Sequence, residues 1–248
     1  MRCKSEKKMI KRNKHYCFKI FSQGSDLIQA VSTRWLGDMT DSDEKKKCKN
    51  RRRFLERLGL KVADLVTMEQ IHQNRVVVVD RADRGQRIIG ADGLVTKKRG
   101  VVLGVKTADC APVIAYDPQE RILGAVHSGW RGVKKKVNRD LIKKMVELGS
   151  KPNRILVGIG PTIGACCYRI NQAHVYGPLR KMMFSADEEL VLDLKQLVVD
   201  QLVEAGVSEA NIELAEMCPA CQNQEFFSFH KEGRPFGEFL TVAMLREK

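Results

Sequence analysis

Histidine is scarce in this chain, with five among 248 residues, and that excludes any metal centre consuming many imidazoles. Aromatic residues make up 6% of the sequence. Hardly any interrupt its basic runs, which removes the stacking platforms used to bind single-stranded nucleic acid. No stretch approaches the roughly 20 apolar residues of a membrane-spanning helix, so no membrane association is expected. Met1 to Lys14 is dominated by charge and lacks the apolar centre of a secretory signal. There is no internal repeat. A reducing cytoplasm is the expected setting, with the eight cysteines as thiols or metal ligands rather than disulfides.

Acidic residues are also short. Against 44 Lys and Arg stand 30 Asp and Glu, giving a net charge of +14. The excess is concentrated in Arg2 to Lys14, in Lys45 to Arg53 and in Lys134 to Lys136. A solvated tail and an exposed helix face account for this, so a nucleic-acid partner is not expected, while anionic substrates suit it. The expected organisation is a basic tail over 1–14 and one catalytic domain over 15–248. The oligomeric state is not legible.

What is present is a set of short apolar runs. Cys17 to Phe21 and Ile28 to Ser32 read as a strand pair, and Asp41 to Leu58 as a helix capped by Asp41 or Ser42 and stopped by Gly59. Leu65 to Met68 and Val76 to Val79 read as strands, with His72 in the bend between them. Val101 to Val105, Val113 to Tyr116 and Ile122 to Val126 have strand length, and Asp117-Pro118-Gln119-Glu120 is a turn. Helices are expected over Val133 to Leu148, Asn171 to Phe184 and Leu192 to Ala205. Strands are expected at Ile155 to Ile159, Ile212 to Ala215, Phe226 to Phe229 and Phe239 to Leu245. Without a strict βαβ rhythm the class is α+β with mixed sheets.

The chemistry centres on Cys110. If the strands flanking Asp117 to Glu120 pair as a hairpin, Cys110 stands just before the first and His127 ends the second, so antiparallel pairing brings them together. A thiolate with imidazoles suits zinc and leaves a fourth tetrahedral position open. The competing reading is a buried structural cysteine with unrelated histidines. Asp92 and Asp109 are acids available to orient ligands or carry protons. Gly129-Trp130-Arg131-Gly132 is a candidate phosphate cradle, with Arg131 as an added clamp, or an ordinary glycine-rich turn. Cys218-Pro219-Ala220-Cys221 is a single CxxC. A zinc ribbon would need a second such pair, which Cys166-Cys167 does not supply, so structural thiols are expected there, with a redox dithiol as the alternative. His15 and His174 read as surface residues, and His230 as a residue able to line a pocket.

Five ordered motifs resemble one family: Glu69-Gln70-Ile71-His72, Ala91 to Thr96, Thr107 to Val113, Gly124 to Gly132 and Ile159 to Tyr168. It is the bacterial laccase-domain family, also called multicopper polyphenol oxidase domain proteins. The resemblance implies a four-layer α+β sandwich of mixed β-sheets flanked by helices, of the kind called YfiH-like. It also implies a zinc-dependent purine nucleoside phosphorylase acting on adenosine, inosine and S-methyl-5'-thioadenosine, with adenosine deaminase activity. His72 joins Cys110 and His127 as metal ligands on this basis. From the residues themselves, Arg131 and Ser32 are candidate substrate or phosphate contacts, and Asp92, Asp109 and Cys110 candidate catalytic residues. Ala30, His230 and Glu238 depart from the family pattern, the last two where relatives carry arginine.

Two other functions remain beside that enzyme. Cys110 activated by His127 would make a thiol hydrolase of muropeptide precursors, with peptidoglycan editing as its role. Copper could occupy a His2Cys set, but a polyphenol oxidase needs more imidazoles than the sequence holds, and it has no His-x-His pair.

Overall fold

The computed structural model describes residues 9–22, 26–40, 45–170, 183–186 and 189–247. In chain order the strands and helices are β1 (Ile10–Arg12), β2 (His15–Cys17), β3 (Leu27–Ser32), α1 (Lys45–Glu56), β4 (Leu65–Met68), β5 (Val76–Val78), β6 (Arg87–Ile88), β7 (Gly93–Thr96), β8 (Val102–Thr107), β9 (Ala111–Asp117) and β10 (Ile122–Ser128). Then come α2 (Trp130–Lys134), α3 (Val137–Glu147), β11 (Leu156–Ile159), β12 (Met183–Ala186), β13 (Glu189–Leu192), α4 (Leu194–Glu204), β14 (Ile212–Leu214), α5 (Phe229–Glu232) and β15 (Phe239–Leu245).

A seven-stranded sheet runs β1-β2-β3-β15-β8-β4-β6 and a six-stranded sheet β14-β11-β9-β10-β7-β5, both mixed, while β12 and β13 pair separately. Alternation along single strands shows how they stack. On β15, Phe239, Ala243 and Leu245 face a core shared with Ile114, Tyr116 and Leu94 of the other sheet. Leu240, Val242 and Met244 face Phe54 and Leu55 of α1. On β9, Val113 and Ala115 turn to Leu141, Ile142 and Met145 of α3 and to Leu197, Val198 and Leu202 of α4. The order of layers is thus α1, seven strands, six strands, and α3 with α4. The central strands are buried on both faces, which is why they read as unbroken apolar runs.

The differences from expectation have local causes. The first hairpin joins β1 and β2, so residues 10–12 of the expected tail are a strand. Phe18 and Phe21 fill the core three residues apart across a turn, with ring centroids 5.7 Å apart, so Cys17 to Phe21 is not a strand beyond Cys17. The helix from Val133 splits, because Lys136 adopts a left-handed φ of 66° after the exposed lysine run. Phe226 and Phe227 are successive buried anchors rather than an alternating strand, and Ser228 caps α5 by accepting from Lys231 N. Most of the helix expected over Asn171 to Phe184 lies outside the described residues, but Phe184 is in β12. Leu192 closes β13, and α4 starts after Asp193, whose side chain caps it. The expected caps Asp41 and Ser42 lie outside the described residues. α1 ends at Glu56, two residues before the expected Leu58, and Gly59, at φ 71°, closes the turn that follows by donating to Glu56 O.

Candidate metal centre

The β9–β10 hairpin forms in the register that matters. His127 stands opposite Pro112 and Ser128 opposite Ala111, so Cys110, one residue before β9, meets His127 at the same end of the ladder. His72 arrives from a different element. Gln70 Nε2 donates to Lys106 O at 2.6 Å and its Oε1 accepts from Lys106 N at 2.9 Å, fastening the 69–73 bend to the end of β8. Gln70, His72 and Asp109 have φ values of 61°, 59° and 90°. Left-handed backbone in three non-glycine residues around one point is strain that the fold maintains where side chains must be aimed.

Asp92 organises the histidines. It is wholly buried, and its carboxylate accepts from His72 N at 2.9 Å, Gln73 N at 2.8 Å and His127 Nδ1 at 3.0 Å. Burial would raise its pKa, but the hydrogen bonds from His127 and the Gln73 and His72 amides hold it below the ordinary carboxylate value. With Nδ1 engaged by Asp92, His127 has Nε2 left for a ligand. Ligand atoms of His72, Cys110 and His127 all lie within 4.8 Å of one another, and the two imidazole centroids are 4.8 Å apart.

The electrostatics suit a cation held by these donors. Burial alone would depress His127, yet its contacts with Cys110 and Asp92 lift it to about 10. His72 is pushed down to about 4 by burial and by its proximity to His127. His127 thus keeps a proton beside the Asp92 carboxylate, while His72 is held neutral. His72 Nδ1 is buried without a hydrogen-bond partner. A Cβ on Gly129 would sit 2.8 Å from Cys110 Sγ and 3.1 Å from His72 Nδ1, so glycine keeps open the space beside both donors. Orphaned nitrogen, cysteine sulfur and cleared space suit a borderline-soft metal ion.

This trio lies on the wall of a cavity of about 570 Å³. Asp109, Arg131, Tyr168, His230 and Arg234 also line it. Asp109 Oδ2 accepts from His230 N at 2.8 Å and faces His230 Nδ1 at 3.2 Å, while its Oδ1 is buried without a partner. Burial pushes the Tyr168 phenol above its ordinary pKa, so it stays a hydrogen-bond donor at neutral pH. The Arg131 guanidinium lies 4.5 Å from the Trp130 ring centroid, and that of Arg234 lies 5.8 Å from the Phe236 ring.

Two expected site residues do not line the cavity. Ser32 is buried with its hydroxyl accepting from Leu240 N at 2.9 Å, which joins β3 to β15 instead of facing the cavity. Asp92 stands behind the histidines, its carboxylate bonded to His72 N, Gln73 N and His127 Nδ1. The expected glycine-rich cradle opens α2, a helix of only five residues. Sequence reading missed Arg87, Arg234 and Tyr168 as cavity residues; only Tyr168, at the end of the Ile159 to Tyr168 motif, had a local signal. His230 and Glu238, the two departures from arginine, both line the cavity.

The chain matches, over residues 29–246, the family model described as multi-copper polyphenol oxidoreductase laccase. A purine nucleoside phosphorylase of Corynebacterium glutamicum is 33% identical over 205 residues, covering 80% of this chain and 81% of that protein. Adenosine deaminase RL5, from an unknown prokaryotic organism, is 32% identical over 200 residues, covering 74% and 76% respectively. The crystal structure of YlmD from Geobacillus stearothermophilus superposes with a TM-score of 0.87 at 25% identity, covering 97% of this chain and 100% of that one.

Proposed function

The chain belongs to the multi-copper polyphenol oxidoreductase laccase family, and from that premise we propose that it is a zinc-dependent purine nucleoside phosphorylase with adenosine deaminase activity. Its substrates are adenosine, inosine and S-methyl-5'-thioadenosine, with inorganic phosphate as co-substrate. The observation that carries this reading is the His72–Cys110–His127 donor set opening onto a cavity walled by cations and aromatic rings. Relatives named as purine nucleoside phosphorylase and adenosine deaminase support the substrate class.

His72, Cys110 and His127 hold the zinc, which supplies a Lewis acid next to the substrate. In phosphorolysis a phosphate oxygen bonds to the ribosyl C1', the C–N glycosidic bond breaks and the purine leaves with a proton. Arg131 and Arg234 neutralise the phosphate and set its approach. Trp130, Phe229 and Phe236 provide flat faces for the base. Asp109 is the acid–base residue: Oδ1 has no protein partner, and His230 fixes the carboxylate through Oδ2. In deamination the same carboxylate serves to move a proton between water and the departing ammonia. Asp92 positions His127 and the His72 backbone without touching substrate.

Asp92→Asn keeps the shape but removes the charge and one acceptor. It is expected to weaken zinc binding by about 10–100-fold, measured by competition with a chromogenic chelator, and to lower kcat/KM at limiting zinc. Activity recovered by added zinc would separate positioning from misfolding.

The decisive assay incubates purified, metal-analysed protein with each nucleoside, with and without phosphate, and follows products by chromatography. Phosphate-dependent release of adenine or hypoxanthine, lost after chelation, is expected. No base release from any substrate would sink the reading. The contact of Cys110 with His127 favours one rival, a thiol hydrolase of muropeptide precursors. Hydrolysis that survives chelation would identify it.

A further inference from the structure

A second metal-ligating cluster stands outside the cavity. Cys166, Cys167, Cys218 and Cys221 bring all four sulfurs within 4.8 Å of one another. Cys221 Sγ lies 3.5 Å from Cys166 Sγ and 3.3 Å from Cys167 Sγ. No disulfide joins any of the seven described cysteines. These separations are far beyond a sulfur–sulfur bond of roughly 2.05 Å. They approach the roughly 3.8 Å edge of a tetrahedron whose corners are 2.3 Å from a central zinc.

The fold builds this cluster by parallel pairing. β11 and β14 run side by side in register, Val157 with Ile212 and Ile159 with Leu214, so the segments leaving them travel together. Ala215 N donates to Ile159 O at 2.9 Å and Thr162 N to Met217 O at 3.1 Å. Gly164 N then donates to Cys218 Sγ at 3.3 Å, and the Ala220 and Cys221 amides also point at that sulfur. Amide donors converging on the first sulfur of a CxxC turn stabilise thiolate there. Cys218 is buried while Cys221 is exposed, so the cluster has an inner anchor and an outer face open to incoming metal.

We propose that Cys166, Cys167, Cys218 and Cys221 form a closed, structural tetrathiolate site for a zinc ion, separate from the His72–Cys110–His127 centre. Four protein ligands leave no position for substrate, so this metal holds structure. Zinc displaces the thiol protons to solvent as it binds, and no oxidant is involved. The clip joins the segment carrying Ile163 and Tyr168, both on the cavity wall, to the segment that leads through Phe226 to His230. It therefore fixes two walls of the cavity against each other.

Zinc content distinguishes the sites. Full-length protein prepared with zinc and reductant, then desalted, is expected to hold two zinc ions per chain. Cys166→Ser/Cys221→Ser and His72→Ala/Cys110→Ala are each expected to hold one. Cobalt titration of His72→Ala/Cys110→Ala provides a readout that needs no change at the cluster. Intense visible bands of tetrahedral cobalt, with sulfur-to-metal charge transfer, are expected at one equivalent. One zinc in the wild type that disappears in His72→Ala/Cys110→Ala would overturn the proposal. So would a cobalt titration without thiolate charge transfer, or an intact mass showing disulfides within the cluster in zinc-loaded, reduced protein.

Discussion

Cys110→Ala is expected to empty the cavity's metal centre and to lower kcat/KM for phosphorolysis on the order of 10³-fold or more, equivalent to about 4 kcal/mol of transition-state stabilisation. The size of the effect follows from charge. Cys110 contributes the sole anionic donor of the trio, and without it two imidazoles remain, one of them already committed to Asp92 through Nδ1. Borderline-soft metals bind thiolate far better than a vacant corner. The fold is expected to survive, because Cys110 is only partly buried and lies between strands rather than in a core cluster. Elemental analysis, circular dichroism and product chromatography on one preparation check all three parts. Full activity in the variant would remove Cys110 from the mechanism.

Gly129→Val is expected to produce a loss on the order of 10²-fold in kcat/KM without touching any ligand. Gly129 has φ −83° and ψ 167°, values open to any residue, so glycine is not required there by the backbone. It is required by the space. The added Cβ would approach Cys110 Sγ to 2.8 Å and His72 Nδ1 to 3.1 Å, pushing apart the donors that must converge on one ion. Weaker zinc binding with the metal-free melting temperature nearly unchanged is the expected signature, read by chelator competition and thermal denaturation. Unaltered zinc affinity would show that His72 and Cys110 do not converge on metal beside Gly129.

The family description speaks of several coppers, but the donors in this chain are distributed differently. Among the described residues, the groups able to hold a metal are the His2Cys trio and the four-cysteine cluster. With five histidines in the whole sequence, there are too few imidazoles for a multicopper oxygen-reducing centre. On a cavity wall that also carries Glu69, Asp109 and Glu238, Arg131 and Arg234 suit an anionic co-substrate and the aromatic rings a flat base.

Much of the strand framework was legible because its central strands are buried on both faces and carry little but apolar residues. The same clarity extended to the Asp117–Glu120 hairpin. Once that turn is recognised, antiparallel pairing puts Cys110 beside His127 whatever the rest of the chain does. His72 had only the motif resemblance to recommend it, since its place depends on Gln70 gripping β8 and on Asp92 accepting its amide. Neither bond has a local sequence signal.

The four-cysteine cluster marks the limit of reading by spacing. Cys166-Cys167 lacks CxxC spacing, so it did not register as half of a metal site. The parallel pairing of β11 with β14 sets the two cysteine pairs side by side. Sequence by itself determined the central apolar strands, the α+β class and the meeting of Cys110 with His127, because periodicity and turn chemistry act over a few residues. Only the tertiary structure decided that His72 completes the trio, that Ser32 faces a strand instead of a substrate and that four cysteines converge. Those contacts depend on the register of strands distant in sequence, which the packing of whole sheets fixes.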